Sequence, residues 1–406
     1  MSTARRAPRW SELRPLLQTG PLLGDATARR LARAASIRDL RLLARRRAPR
    51  AVFDYTDGAA GDELSLARSR AAFARVEFQP SVLRDVSQVD PATTILGKPS
   101  ALPIVFAPTG FTRMMHTEGE PAVARAAARA GIPYALSTMG TTSIERLAEE
   151  APDTRRWFQL YLWRDRAASR DFVARAEQAG YDALVLTVDT PVPGARLRDV
   201  RNGLTLPPTL TLRTFGEGAR HPRWWWDLLT TEPLEFASVN RFEGTVAELV
   251  QQMFDPAATL ADLSWLRENW SGAIVVKGIT TVADACTVVD AGADAVVLSN
   301  HGGRQLDRAP TPFEVLPAVV DALGDRAEIY VDGGVLSGGD VVAAVARGAR
   351  AVLVGRAYLY GLMAGGERGV DRAAALLASE VSTTLALLGV QRVADLRPEQ
   401  VRIRAT

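Results

Sequence analysis

Three residue types are scarce in this 406-residue chain: cysteine occurs once, lysine twice against forty-seven arginines, and histidine three times. The lone Cys286 excludes an internal disulfide framework and any multi-cysteine metal site. Its setting in the helical pattern TVADACTVVDAG suits a buried, inert thiol. Nowhere do about 18 apolar residues run together, so no segment is expected to cross a bilayer. The Arg-rich start is not followed by an unbroken apolar stretch and a small-residue cleavage site, so a cytoplasmic protein is expected.

Hydrophobic residues at 47% and charged residues at 23% place the chain among soluble globular proteins rather than disordered ones. The net charge of +3 is unevenly spread: residues 1–50 hold thirteen Arg against Glu12, Asp25 and Asp39, leaving the remainder net acidic. Such an arm reads as a solvated basic helix pair, with peripheral contact to the inner face of a membrane as a second use. Nucleic acid is not an expected partner.

From Leu102 onward the chain has a rhythm of eight apolar runs: PIVFAPT, IPYALST, WFQLY, ALVLTVD, AIVVKG, AVVLSNHGG, EIYVDGG and AVLVGR. Helical stretches such as ASRDFVARAEQAG and GGDVVAAVARGA lie between them. Runs that are apolar throughout indicate strands buried on both faces. Eight such units in series predict an α/β fold, a closed (β/α)8 TIM barrel, with an open doubly wound sheet as the alternative. The expected organisation is an N-terminal helical or cap extension over 1–95, a barrel over 96–390 and a C-terminal tail over 391–406. A long insertion after the fourth strand, at about 191–259, contains HPRWWWDLLTTEPLEF (221–236). Its tryptophans fit either a plug packed on the barrel or an exposed apolar patch for a membrane or a partner subunit.

Catalytic groups in such barrels collect at the C-terminal strand ends. The runs deliver Pro108, Thr109 and Gly110, then Ser137, Gln159 with Tyr161, Thr187 with Asp189, Lys277, Ser299 with His301 and Arg304, Asp332 with Gly333 and Gly334, and Gly355 with Arg356. Lys277 stands out, because a chain that otherwise uses Arg has kept a compact ammonium at the end of a buried strand. The glycines after the seventh and eighth strands predict a phosphate site, with the following helix contributing its positive N-terminus. His301 can accept a proton near neutral pH, and Asp189 is a candidate to orient it. Arg304 and Arg196 offer planar forks suited to a carboxylate. His116 and His221 sit in loop-like contexts with structural roles expected, and no second histidine lies at metal-ligand spacing from His301, so no metal is expected.

These strings resemble the FMN-dependent L-2-hydroxy acid oxidases and dehydrogenases, which include glycolate oxidase, L-lactate dehydrogenase and mandelate dehydrogenase. The resemblance covers about residues 51–388 and is carried by FDYTDGAAGDE, APTGFTRMMHTEGE, LSTMGTTSIE, WFQLYLWRDR, LTVDTPVPGARLRD, VVKGI, LSNHGGRQLD, VDGGV and GRAYLYGL. The stretches GARLRDVRNG, WWWDLLTTEPLEFAS and GRAYLYGLMAGGE are similar to actinobacterial proteins called L-lactate dehydrogenases. The resemblance implies FMN as cofactor, a small 2-hydroxy carboxylate as substrate, quinone or another carrier as electron acceptor, and a homotetramer. It implies His301 as base with Asp189 behind it, and Lys277 as the charge beside the flavin. Arg196, Arg304, Tyr55 and Tyr161 would hold the substrate. Pro108 to Gly110, Ser137, Gln159, Thr187 and Ser299 would line the flavin, while Gly333, Gly334, Gly355 and Arg356 would take its phosphate.

The chain departs from the family pattern at three places. Leu336 and Ser337 stand where members often carry two basic residues after DGGV, Met139 stands where glycolate oxidase has a bulky Trp, and Gly110 where many members have Ala. The competing functions are an oxygen-using oxidase of the glycolate or mandelate type, an FMN-dependent isomerase, and a peptide-modifying flavoenzyme of redox-cofactor maturation. An inosine-monophosphate-type dehydrogenase would need a loop cysteine, and Cys286 is misplaced for it. A non-catalytic barrel would be expected to lack some of Lys277, His301 and Arg304.

Overall fold

A computed structural model describes residues 6–14, 25–203, 220–239 and 253–404. Eight parallel strands close into a barrel: β1 (Ile104–Phe106), β2 (Tyr134–Ser137), β3 (Arg156–Leu160), β4 (Ala183–Thr187), β5 (Ala273–Ile279), β6 (Ala295–Leu298), β7 (Glu328–Asp332) and β8 (Ala351–Val354). Each pairs with its neighbours in chain order, and β8 returns to β1, so no edge is left unpaired. The helices following the strands include α1 (Gly119–Arg129), α2 (Ile144–Glu150), α3 (Arg166–Gln178), α5 (Val282–Asp290), α6 (Pro312–Leu323), α7 (Gly338–Ala346) and α8 (Arg356–Gly365), with α4 (Leu260–Asn269) leading into β5. A long α9 (Glu367–Leu388) packs behind α8.

Side chains alternate across a strand, so the apolar runs divide into two cores. One face of each strand packs against the helices. The other fills the lumen with Val105, Ala135, Trp157, Val185, Val275, Val297, Tyr330 and Leu353. Trp157 and Tyr330 come from strands that are not neighbours, yet their ring centroids lie 6.1 Å apart, so the lumen is packed across its width. Ile95, from the hairpin Thr93–Ile95/Lys98–Ser100, joins this cluster, and Arg155 on β3's approach donates to its carbonyl (2.8 Å). The same two-residue period continues upward: β1 runs through Ala107 to Thr109, and on the other strands the next inward positions are Ser137, Gln159, Thr187, Lys277, Ser299, Asp332 and Gly355. An apolar lumen thus ends in a polar rim, all on one face.

The N-terminal helices Ala26–Arg33, Ile37–Arg47, Arg50–Asp57 and Leu64–Ala74 lie against the barrel's outer helices and bring Tyr55, Thr56, Leu66 and Arg70 to that rim. The C-terminal strand Val401–Ile403 pairs antiparallel with Val76–Phe78, so the tail is joined to the extension. Of the Trp-rich insertion, the described segment around helix Pro222–Thr230 is partly packed on the barrel and partly exposed. Trp224 donates to the Met114 carbonyl (3.0 Å) and Phe236 packs edge-on to Phe111, whereas Trp226 and Leu229 are exposed. The rest of that insertion, 204–219 and 240–252, lies outside the described residues, as do 1–5 and 15–24 of the basic arm.

Asp57 fastens the extension to the barrel. Its buried carboxylate accepts from Arg41 Nη2 (2.9 Å), Arg198 Nη1 (3.1 Å) and the Tyr360 hydroxyl (2.8 Å). Burial pushes its pKa up, but Arg41 and Tyr360 outweigh burial and hold it below the usual carboxylate range. A group depressed in the folded state contributes stability above its unfolded value of about 3.9 and loses it as pH falls through the folded value. Asp57→Asn is therefore expected to destabilise by about 2 kcal/mol at neutral pH, with the difference from wild type closing in acid. Urea unfolding of both proteins across the acid range checks this; a gap that stays constant would remove Asp57 from the role.

Candidate active site

Lys277 is the last inward residue of β5 and is buried. Its Nζ lies 3.1 Å from Asp332 Oδ2 on β7 and donates to Ser299 Oγ (3.0 Å) just beyond β6. Burial opposes the charge, but Asp332 and Asp189 more than offset it, and the pKa is raised. Lys277 is therefore an ammonium at neutral pH. A snorkelling surface lysine is excluded by this geometry.

Ser299 Oγ also accepts from the His301 backbone amide (3.0 Å), so one hydroxyl joins the ammonium to the histidine loop. His301 has a φ of +57°, a conformation that costs a non-glycine residue energy and that clusters at functional sites. The loop is held by Asn300, whose side-chain oxygen accepts from Gly303 N (3.1 Å). His301 Nδ1 lies 3.0 Å from Asp189 Oδ1. Burial raises the Asp189 pKa, while His301 and Lys277 lower it further, leaving it below the usual range and the group ionised. With a carboxylate accepting at Nδ1, Nε2 is the nitrogen left to take a proton.

Two guanidiniums bracket one ring. Arg304 Cζ lies 4.9 Å and Arg196 Cζ 5.2 Å from the centroid of Tyr55. Arg304 donates to the backbone carbonyl of Tyr55, and Arg196 pairs with Asp199 (2.8 Å). Burial, and then repulsion from Arg196, push the Arg304 pKa down to about 10. Two cations this close, one desolvated, favour an anion between or beside them. Tyr161, whose pKa burial raises, keeps its hydroxyl proton and faces the same space.

Lys277, His301, Arg304, Arg196, Tyr55 and Tyr161 border a cavity of about 710 Å³ at the barrel mouth. Fifteen expected residues line it: Tyr55, Pro108, Thr109, Gly110, Ser137, Tyr161, Arg196, Lys277, His301, Arg304, Asp332, Gly333, Gly334, Gly355 and Arg356. Met139 lines it too. Gln159, Thr187, Asp189 and Ser299 do not; they stand one layer back and act on or through the wall. Gln159 Oε1 accepts from Ser137 Oγ (3.0 Å), and Thr187 instead borders a second cavity of about 360 Å³. Among the described residues, Gln159 Nε2, Thr187 Oγ1, Asp189 Oδ2 and Asp332 Oδ1 are buried without a hydrogen-bond partner. Leaving a buried polar group unmade costs about 1–3 kcal/mol, so four together at the strand ends suit a polar ligand bound against them.

The family model for FMN-dependent dehydrogenases matches residues 44–403. The chain belongs to the FMN-dependent dehydrogenase family. It is 57% identical over 401 residues to a putative L-lactate dehydrogenase of Mycobacterium tuberculosis, covering 99% of this chain and 97% of that one. It is 43% identical to an L-lactate oxidase of a Nostoc species, covering 85% and 91%. Among solved structures, the monotopic membrane protein (S)-mandelate dehydrogenase matches at a TM-score of 0.87 and 37% identity, over 92% of this chain and all of that one.

FMN, the family's cofactor, fits this cavity. The orphaned donor of Gln159 and the Lys277 charge suit a ring rich in carbonyl and imine acceptors, and the glycines beyond β7 and β8 suit a phosphate-bearing tail. At α8 the Gly355 cap has no side-chain partner, but the turn before α7 is capped from within the chain: Leu336 N and Ser337 N donate to Asp340 Oδ2 (2.8 and 3.1 Å), and Gly338 N donates to Glu380 Oε2 (2.6 Å). Arg356 is likewise engaged, donating to the carbonyls of Thr56, Gly302 and Gly58. Residues that sequence reasoning missed include Thr56, Leu66, Arg70, Met115, Phe254 and Gln305, all on the cavity wall. The spacing of Leu66 and Arg70, one helical turn apart, was visible; the face they share was not.

Arginine at 277 would bring a planar fork into a space that a single ammonium fills between Asp332 and Ser299. Lys277→Arg is expected to slow anaerobic flavin reduction by about tenfold to a hundredfold, as small displacements of reacting groups do. Stopped-flow bleaching measures it; an unchanged rate would return Lys277 to a structural role.

Proposed function

We propose that this enzyme oxidises an L-2-hydroxy acid, L-lactate in the first place, to the 2-keto acid, passing the electrons through FMN to a membrane quinone or similar carrier. The observation that carries the reading is one cavity bordered by a carboxylate-backed histidine, a paired set of guanidiniums and a buried ammonium.

Arg304 and Arg196 bind the substrate carboxylate, and their mutual repulsion is relieved by it. Tyr55 and Tyr161 border the same pocket and supply hydroxyls for the substrate's polar groups. His301 Nε2 takes one proton, whether from the hydroxyl or from the α-carbon, and Asp189 stabilises the imidazolium that results. FMN, when bound, accepts the two electrons. Lys277 sets a fixed positive charge in a water-poor setting, where it is worth far more than in water.

Quinone as acceptor is supported by the exposed Trp226 and Leu229 on helix Pro222–Thr230 and by the basic N-terminal helices. A surface of that kind can lie on an anionic inner membrane face, and the similar mandelate dehydrogenase is named as a monotopic membrane protein. Among the described residues no helix is long and apolar enough to cross a membrane.

Anaerobic mixing of the yellow protein with L-lactate, L-mandelate or glycolate is expected to bleach the flavin fastest with L-lactate, and a soluble quinone to restore the colour faster than air. Failure of all three acids to bleach it would sink the proposal, and faster recovery in air would make the protein an oxidase. His301→Gln should retain FMN yet lose about two or more decades of turnover. Near-normal turnover in that variant would remove His301 as the base.

A further inference from the structure

The phosphate end of the cavity lacks the cation that the sequence pattern leads one to look for. Leu336 and Ser337 are uncharged, their amides are spent on Asp340 and that of Gly338 on Glu380, and the Arg356 Nε, Nη1 and Nη2 atoms each make one bond to a backbone carbonyl. A dianionic group placed there calls for a second positive charge beside Arg356.

Arg70 is that charge. It lies on the cavity wall together with Gly333, Gly334, Leu336 and Arg356. Its Nη1 donates to the Gly334 carbonyl and to Asp340 Oδ2 (2.9 Å), which anchors one end of the fork. Nε and Nη2 have no partner among the described residues, and the side chain is 39% exposed. One end of the fork is therefore fixed while Nε and Nη2 stay free, and Arg356 keeps one N–H on each of Nη1 and Nη2.

The helix that carries Arg70 is seated closely on the strand-end loops. Asp307 Oδ1 accepts from Ser65 N (2.8 Å), and Asn300 Nδ2 donates to Ser69 Oγ (3.3 Å). A Cβ on Gly334, whose φ is +87°, would stand 2.7 Å from the Ser69 carbonyl oxygen. Glycine at 334 thus does more than free an amide for phosphate: it lets helix Leu64–Ala74 approach near enough for Arg70 to overlie the turn.

We propose that Arg70 is a second cation for the FMN phosphate beside Arg356, standing in for a basic residue after Val335, while Arg356 also staples the Thr56–Gly58 segment to the β6 loop. The proposal rests on FMN as cofactor and is independent of which hydroxy acid is oxidised, so flavin bleaching and flavin binding fail separately. Riboflavin, which has the same ring and ribityl chain without the phosphate, isolates the contact. Flavin-free protein is titrated with FMN and with riboflavin while quenching of flavin fluorescence is followed. Arg70→Gln is expected to raise the FMN dissociation constant by about tenfold to a hundredfold, the effect of losing one or two charge-assisted hydrogen bonds, and to leave riboflavin binding as in wild type. Arg70→Lys, which keeps the charge without the fork, should lose FMN affinity only in part. Equal weakening of both flavins in either variant would show that Arg70 is structural, and unchanged FMN affinity would likewise overturn the proposal.

Discussion

The buried contact among Lys277, Asp332 and Ser299 is the constraint on which the site depends. A buried ammonium is costly unless charge and hydrogen bonds compensate it, and here compensation comes from two neighbouring strands and from Asp189 on a third. That requirement fixes β4, β5, β6 and β7 relative to one another at their C-terminal ends. It also leaves one carboxylate oxygen of Asp332 and one of Asp189 unpaired. The polar rim is thus built at the expense of local stability, as preorganised sites are, and the ligand completes it.

The same contact governs His301. Ser299 Oγ receives Lys277 Nζ and the His301 amide together, so the ammonium and the base sit at a set separation through one oxygen. The left-handed backbone at His301 is tolerable because its amide, the Asn300 cap and Asp189 all hold it. The charge stabilisation and proton transfer proposed for Lys277 and His301 therefore share one support, the Ser299 hydroxyl.

Much of this was legible in the sequence because a barrel strand obeys a period of two. Once Trp157, Val275 and Tyr330 are inward, Gln159, Lys277 and Asp332 must be inward as well, one level higher. The second layer was harder. Gln159, Thr187 and Ser299 belong to the rim but stand behind its wall, and alternation gives a side chain's face without its depth. The capping of α7 was half visible, since Ser337 to Asp340 spells a Ser-x-x-Asp box. The other cap, Glu380, lies forty-two positions along the chain and leaves no local trace. Arg70 was hidden for a related reason: helix Leu64–Ala74 is only weakly amphipathic, so its pattern does not say which side meets the barrel.

The barrel by itself supplies a base, a buried ammonium and a row of polar groups, but an open mouth would leave them hydrated. The extension alters that. Tyr55 gives the ring on which both guanidiniums rest, Thr56 and Gly58 receive Arg356, and Arg70 reaches the turn beyond β7. Tyr55, Thr56 and Gly58 flank the Asp57 cluster, and the helix of Arg70 is held by Asp307 and Asn300. Water exclusion strengthens every charge in the cavity, so the helices before the barrel shape the proposed site as much as the strand ends do. The boundary between cap and barrel is then one of chain order; the site itself is assembled only when both are folded together.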